Sequence, residues 1–167
     1  MSTTIYLGLG SNLGDRQAAL DAACAALGPQ VRMLRRSPLY ETAPWGYTEQ
    51  DDFLNQVVEA ETELNPEELL PALKGVEQQL GRQRRFRNGP REIDIDLLLY
   101  GQQQLTVQTA AGVLQVPHPG LAERAFVLVP LADLAPDLRI PGQPASIAEL
   151  LSQLDTTGIR PYPEEPQ

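Results

Sequence analysis

Hydrophobic and polar positions along the chain switch between two periods. Thr4–Leu9 has the alternating pattern of a strand. Gly10-Ser11-Asn12 reads as a turn, and Asp15 is placed to cap a helix. From Arg16 to Leu27 the apolar residues Leu20, Cys24 and Leu27 recur at helical spacing, and Gly28-Pro29 ends the run. Val31–Tyr40 and Phe53–Glu63 read as strands separated by the polar loop Ala43–Asp52. Asn65-Pro66-Glu67-Glu68 combines a cap, a first-turn proline and acids at the positive helix end. That helix is expected to run to about Gly81, with Pro71 awkward inside it. Glu92–Tyr100 is the next strand.

Beyond Gly101 the pattern weakens. Leu105–Val107 and Val113–Val116 are strand candidates, Leu121–Arg124 a short helix and Phe126–Leu131 an apolar segment. Ser146-Ile-Ala-Glu149 fits a capping box opening a helix to Leu154. Gly158–Gln167 holds three prolines and is expected to fray. The order β-α-β-β-α-β predicts an α+β fold, a ferredoxin-like α/β sandwich with extra C-terminal elements. One domain over residues 1–155 and a proline-containing tail over 156–167 are expected.

Composition narrows the class. The 167 residues allow one sizeable core. No apolar stretch reaches the roughly 18 residues that a membrane span requires, so no membrane partner is expected. A single cysteine, Cys24, excludes an internal disulfide, and the chain starts without a signal-peptide pattern. Both features point to the cytoplasm. A net charge of −9 argues against a general nucleic-acid binder. The positive charge is nevertheless concentrated. Five of the thirteen basic residues are the arginines at 82, 84, 85, 87 and 91. A solvated loop could carry them, yet Arg is the better residue for bidentate phosphate contact.

Directly after this cluster stands Asp94-Ile95-Asp96. On a strand Glu92, Asp94 and Asp96 share one face, and Ile93, Ile95 and Leu97 share the other. Carboxylates two residues apart can converge on one metal or bridge two, and oxygen donors beside phosphate suit Mg²⁺. An ordinary amphipathic strand with a wet face is the bland alternative. Other chemistries lack residues. One histidine and one cysteine exclude a His/Cys zinc cluster. The one lysine, Lys74, is not in a phosphate-binding P-loop, and Gly8–Gly14 has the wrong spacing for a dinucleotide fold. No nucleophile-elbow motif occurs.

Several stretches together resemble one family, the 6-hydroxymethyl-7,8-dihydropterin pyrophosphokinases of folate biosynthesis. They are YLGLGSNLGDR (6–16), SPLYETAPWG (37–46), DFLNQVV (52–58), GRQRRFRNGPREIDIDLLLYG (81–101) and VPHPGLAERAFVLVPLADLAP (116–136). They follow the family's order. The resemblance implies transfer of pyrophosphate from ATP to the pterin hydroxymethyl group, with release of AMP. It implies that Asp94 and Asp96 hold two Mg²⁺ ions and that Arg82 and Arg91 clamp phosphate during catalysis. It further implies ATP contacts at Arg84, Arg87, His118 and Arg124, an adenine edge at the Leu97 backbone and a weaker nucleotide contact at Glu77. Thr42, Ala43, Trp45, Phe53, Asn55 and Phe126 would form the pterin side, with Phe53 and Phe126 sandwiching the ring.

Each residue keeps a bland reading: core for the two phenylalanines, a turn for His118. Asn88, Val113 and Gln115 depart from what many members carry, which bears on the adenosine side. The loops Ala43–Asp52 and Arg82–Asn88 are candidate lids. A monomer acting on small molecules is expected. Two other classes fit the residues less well: a two-metal nuclease or phosphatase, and a silent binding module with an arginine patch.

Overall fold

A computed structural model describes residues 1–163 apart from Trp45, Arg84, Arg85 and Asn88. The expectations for Trp45 and Arg84, and the departure at Asn88, fall outside the described residues. The elements are β1 (Thr3–Ser11), α1 (Arg16–Leu27), β2 (Val31–Arg36), β3 (Leu39–Thr42), β4 (Phe53–Thr62), α2 (Pro66–Gln79), β5 (Asp94–Tyr100), β6 (Leu105–Thr109), β7 (Gly112–Val116), a 3₁₀ turn (Leu121–Glu123), α3 (Ala125–Leu134), α4 (Ile147–Leu151) and β8 (Ile159–Tyr162).

One antiparallel sheet runs in the order β5-β1-β4-β3-β8, with β2 on the same edge of β4 as β3. Taken as one broken strand, β2 and β3 complete the β-α-β-β-α-β order of a ferredoxin-like sandwich. The break corrects the single strand expected over Val31–Tyr40. Pro38 carries no N–H for the ladder. Ser37 closes the gap: its N–H donates to the Val57 carbonyl at 2.9 Å, and its hydroxyl accepts the Val57 N–H at 3.0 Å.

Two cores flank the sheet. Ile5, Leu7, Leu9, Leu54, Ile93 and Ile95 pack against α1, α2 and the β6–β7 hairpin. Tyr6, Val57, Leu98 and Leu99 face α3 and α4 on the other side. The caps form as their residues dictate. Asp15 accepts the Ala18 N–H, and full capping boxes stand at Asn65/Glu68 and Ser146/Glu149. Helix α2 runs through Pro71 because buried Leu69, Leu70 and Leu73 hold it to the core; the missing bond is outweighed by packing.

Three further expectations change. Phe126–Leu131 is the middle of α3, since a short all-apolar run cannot separate a helix from a strand by period. Strand β5 begins at Asp94, so Glu92 does not share its aspartate face. Fraying from Gly158 is not met at Ile159–Tyr162. These residues add β8 to the sheet, because β3 offers a free edge for pairing.

Candidate functional site

The site grows from the middle of the sheet. In β1, Gly8 pairs with Asp96 and Gly10 with Asp94. The two glycines share the face of the two aspartates, so no side chain fills the space in front of the carboxylates. A Cβ on Gly10 would lie 2.8 Å from the Asn55 Oδ1 and 3.7 Å from the Phe53 ring. At Gly10 a side chain would therefore displace the Asn55 amide, while at Gly8 a Cβ would meet only ordinary contact with Leu98. The alternate glycines that fail as a dinucleotide loop find their purpose here.

Over this floor opens a cavity of about 250 Å³. Its lining includes Thr42, Ala43, Phe53 and Asn55, His118, Arg124 and Phe126, and Arg91, Asp94 and Asp96. The Asn55 amide donates to the hydroxyl of buried Thr42 at 2.6 Å, which fixes both polar groups toward the cavity. A second recess, about 430 Å³, is lined by Lys74, Glu77, Arg82, Phe86 and Arg87 among others. Arg91 lines both, so one guanidinium joins an aromatic, polar pocket to a cationic cleft.

Electrostatics separate the two aspartates. Asp94 accepts from Arg82 at 2.9 Å on one oxygen and from Arg91 at 2.9 Å on the other. Burial pushes its carboxyl up, but the charges of Arg91, Arg82 and Lys74 outweigh that and hold it below the ordinary carboxylate value. Among the described residues no cation is paired with Asp96. Burial, and then the charge of Asp94, push its carboxyl up to about 7. The pair thus contains one neutralised carboxylate and one that lacks a cation. Two hard oxygen donors beside a cationic cleft fit a divalent cation of the Mg²⁺ type. His118 is also poised: its Nδ1 is buried without a hydrogen-bond partner, and burial and the Arg124 charge lower its basicity.

Supporting residues stand behind the site, and of these the sequence reading named Glu77 alone. Glu77 is only 2% exposed. Its carboxylate accepts from Arg82 at 2.6 Å and from the Ile95 N–H at 2.7 Å, with Lys74 at 3.2 Å. It holds Arg82 at the edge of the second recess, which Glu77 also lines. Asn12, also buried, donates to Gln50 Oε1 at 2.8 Å and to the Asp51 carbonyl at 2.9 Å, and it accepts the Arg91 N–H at 2.8 Å. It ties the 43–52 loop to the arginine loop. Tyr47 and Phe86 meet edge to face across the same two loops, ring centroids 4.8 Å apart. Nothing in the sequence marked Asn12 or its partners, since Asn is ordinary in the turn that follows β1. Leu97 faces the core and lines neither cavity. Val113 and Gln115 are exposed on β7.

Comparison with known proteins points to one family. The family model described as 7,8-dihydro-6-hydroxymethylpterin-pyrophosphokinase matches residues 6–136. A Methylorubrum extorquens protein named 2-amino-4-hydroxy-6-hydroxymethyldihydropteridine pyrophosphokinase is 48% identical over 159 residues, covering 94% of this chain and 97% of its own. The Pseudomonas aeruginosa protein of the same name is 42% identical over 165 residues, 98% and 99% of the two chains. Among solved structures, the Plasmodium falciparum HPPK-DHPS wild type with pterin and p-hydroxybenzoate superposes with a TM-score of 0.70 at 16% identity. It shares the fold over 91% of this chain, which spans 42% of that longer one.

Proposed function

The chain belongs to the 7,8-dihydro-6-hydroxymethylpterin-pyrophosphokinase family, and from that premise we propose how its site carries out the reaction. The enzyme moves the terminal diphosphate of ATP to the hydroxymethyl oxygen of 6-hydroxymethyl-7,8-dihydropterin, a step of folate biosynthesis. The new bond joins that oxygen to the β-phosphorus; the bond from the β-phosphorus to the α-phosphate oxygen breaks, and AMP leaves. The observation that carries the site assignment is Arg91, which borders both the aromatic pocket and the cationic cleft beside Asp94 and Asp96.

The flat pterin lies between Phe53 and Phe126 over the Gly8–Gly10 floor. Thr42, Asn55 and the Ala43 backbone read its edge, where unpaired polar groups would penalise a mismatched ring. Trp45 belongs to the same side by resemblance. The triphosphate lies along Arg82, Arg87 and Arg91, with Arg124 and His118 at the shared mouth. Arg84 and the Leu97 backbone complete the nucleotide side by resemblance. Arg82 and Arg91 serve two anions in turn: Asp94 in the free protein and phosphate in the working complex. Glu77 acts on the nucleotide through Arg82, which it orients.

Two Mg²⁺ ions would be held by Asp94 and Asp96. Bound there, they neutralise phosphate charge and acidify the attacking hydroxyl. Closing the 43–52 and 82–88 loops excludes water, so the diphosphate reaches the alcohol rather than being hydrolysed. The enzyme acts as a cytoplasmic monomer. A site lined within one chain and a half-buried lone cysteine support that reading; the net charge of −9 weighs against nucleic acid as a partner.

The test is AMP release with ATP, Mg²⁺ and the pterin alcohol. AMP should appear only when all three are present; phosphate or AMP release without pterin would mark a hydrolase instead. A second expectation concerns the floor. In Gly10→Ala the new methyl group displaces the Asn55 amide from Thr42, so the KM for pterin should rise about tenfold, or about 1.4 kcal/mol. The KM for ATP should stay within about twofold. Equal rises in both would count against the floor assignment.

A further inference from the structure

Strand β8 lies beyond the residues matched by the family model, yet its contacts concentrate on the pterin side of the site. It pairs with β3 in the register Thr42↔Ile159 and Glu41↔Arg160. The Ala43 N–H, at the start of the 43–52 loop, donates to the Gly158 carbonyl at 3.3 Å. Gly158 turns there with φ of +85°, a conformation glycine adopts without strain. At the other end of the loop, Arg160 Nη2 donates to the Asp52 carboxylate at 2.9 Å, and the same nitrogen bridges to Glu41. Arg16 adds a second link. Its Nη1 is 2.7 Å from Glu41 Oε2 and donates to the Asp52 carbonyl at 3.1 Å, and its guanidinium stands 5.2 Å from the Tyr162 ring centroid.

Both ends of one loop are thus fastened to one short strand. The loop begins one residue after Thr42 and ends one residue before Phe53, two walls of the ring pocket. Strand β3, four residues long, would otherwise be the bare edge of the sheet at this point. Each ion pair is partly exposed, with Arg160 at 40% and Asp52 at 36% side-chain exposure. Single exposed pairs stabilise little. Their arrangement therefore matters more for where the loop ends sit than for overall stability.

We infer that β8 is a clamp on the pterin pocket, with Arg160 as its positioning residue: it fastens the two ends of the 43–52 loop beside the paired Thr42 and Phe53 and so determines affinity for the pterin ring. This rests on the functional reading above. Arg160 lies away from the arginine cleft, so the nucleotide side should not feel its loss.

The test uses the full chain with Arg160→Ala, Arg160→Lys, Asp52→Asn and the double change Arg160→Ala/Asp52→Asn. Arg160→Ala should raise the KM for the pterin alcohol about five- to tenfold, with kcat and the KM for ATP within about twofold. Calorimetric binding of the pterin in the presence of a non-hydrolysable ATP analogue should weaken by the same factor. Arg160→Lys keeps the charge but not the bridging fork, and should recover part of the loss. The double change should be no worse than Arg160→Ala alone, because both remove one link. An unchanged pterin KM in Arg160→Ala would overturn the clamp. So would equal rises in both KM values with a lowered melting temperature, the mark of a general structural defect. Wild-type protein that releases no AMP would overturn the functional reading, and the clamp with it.

Discussion

Asp96→Asn is expected to lower AMP release by at least about a thousandfold, the scale of losing a metal-borne stabilisation of transferring phosphate. The same change should raise the melting temperature of the metal-free protein at pH 8. In the folded state Asp96 keeps its proton up to a pH of about 7, whereas in the unfolded chain it ionises near the ordinary value. Between those values the folded state binds more protons, so this group lowers stability as pH rises from about 4 to about 7. Asn has no charge to desolvate and escapes that cost. Asp94, whose carboxyl is held low, works in the opposite direction: its contribution is present near neutrality and is lost as the pH falls into the acid range. Thermal melts at pH 5 and pH 8 in a chelator separate the two. The wild type should gain several °C on adding Mg²⁺ at pH 8 and less at pH 5. Asp96→Asn should gain little at either. A mutant that is less stable than wild type at pH 8 without metal, or that retains turnover, would refute the assignment of Asp96 as the carboxylate awaiting a cation. Function and stability conflict at this position, as they do wherever like charges are gathered for a ligand.

Arg82→Ala should cost about 10³ in kcat, the order found when a guanidinium that stabilises a transferring phosphoryl group is removed. It should also cost stability. Arg82 links the buried Glu77 carboxylate to Asp94, and its loss leaves Glu77 with Lys74 as its charged partner among the described residues, so part of the buried charge loses its compensation. Arg91→Ala offers the contrast. Its side chain holds Asp94 but not Glu77, and its backbone keeps the Asn12 link. A comparable loss of kcat with a much smaller fall in melting temperature is therefore expected. Single-turnover rates and thermal melts on the two variants check this. Equal stability losses would mean that Glu77 does not depend on Arg82.

Much of the site was legible along the chain because its chemistry is contiguous. Arg82 to Asp96 is one loop running into one strand, and a period of two places both aspartates on the same face whatever the rest of the fold does. Asn55 in a strand signalled in another way, as a residue out of character with its element, whereas the alternate glycines of β1 were read only as a failed dinucleotide loop. The helix caps were legible because a capping box closes within four residues.

What could not be read is what depends on distant segments meeting. The partners of Asn12 lie 38 and 79 residues away. That Arg82 and the Ile95 N–H both meet the Glu77 carboxylate was likewise invisible along the chain. Asp94 and Asp96 are identical in sequence context, yet one carboxyl is pulled down and the other pushed up. Only the folded positions of Arg82 and Arg91, both on Asp94, make that difference. Strand β8 was concealed by its prolines and glycine, since its stability comes from the free edge of β3 and not from its own propensity. The sequence by itself determined the core β-α-β-β-α-β order, the shared face of Asp94 and Asp96 and the density of arginine, because each is set by local periodicity and residue chemistry. Tertiary structure decided which charge neutralises which, and which strand fastens the loop, because burial and distance exist only once the sheet has closed.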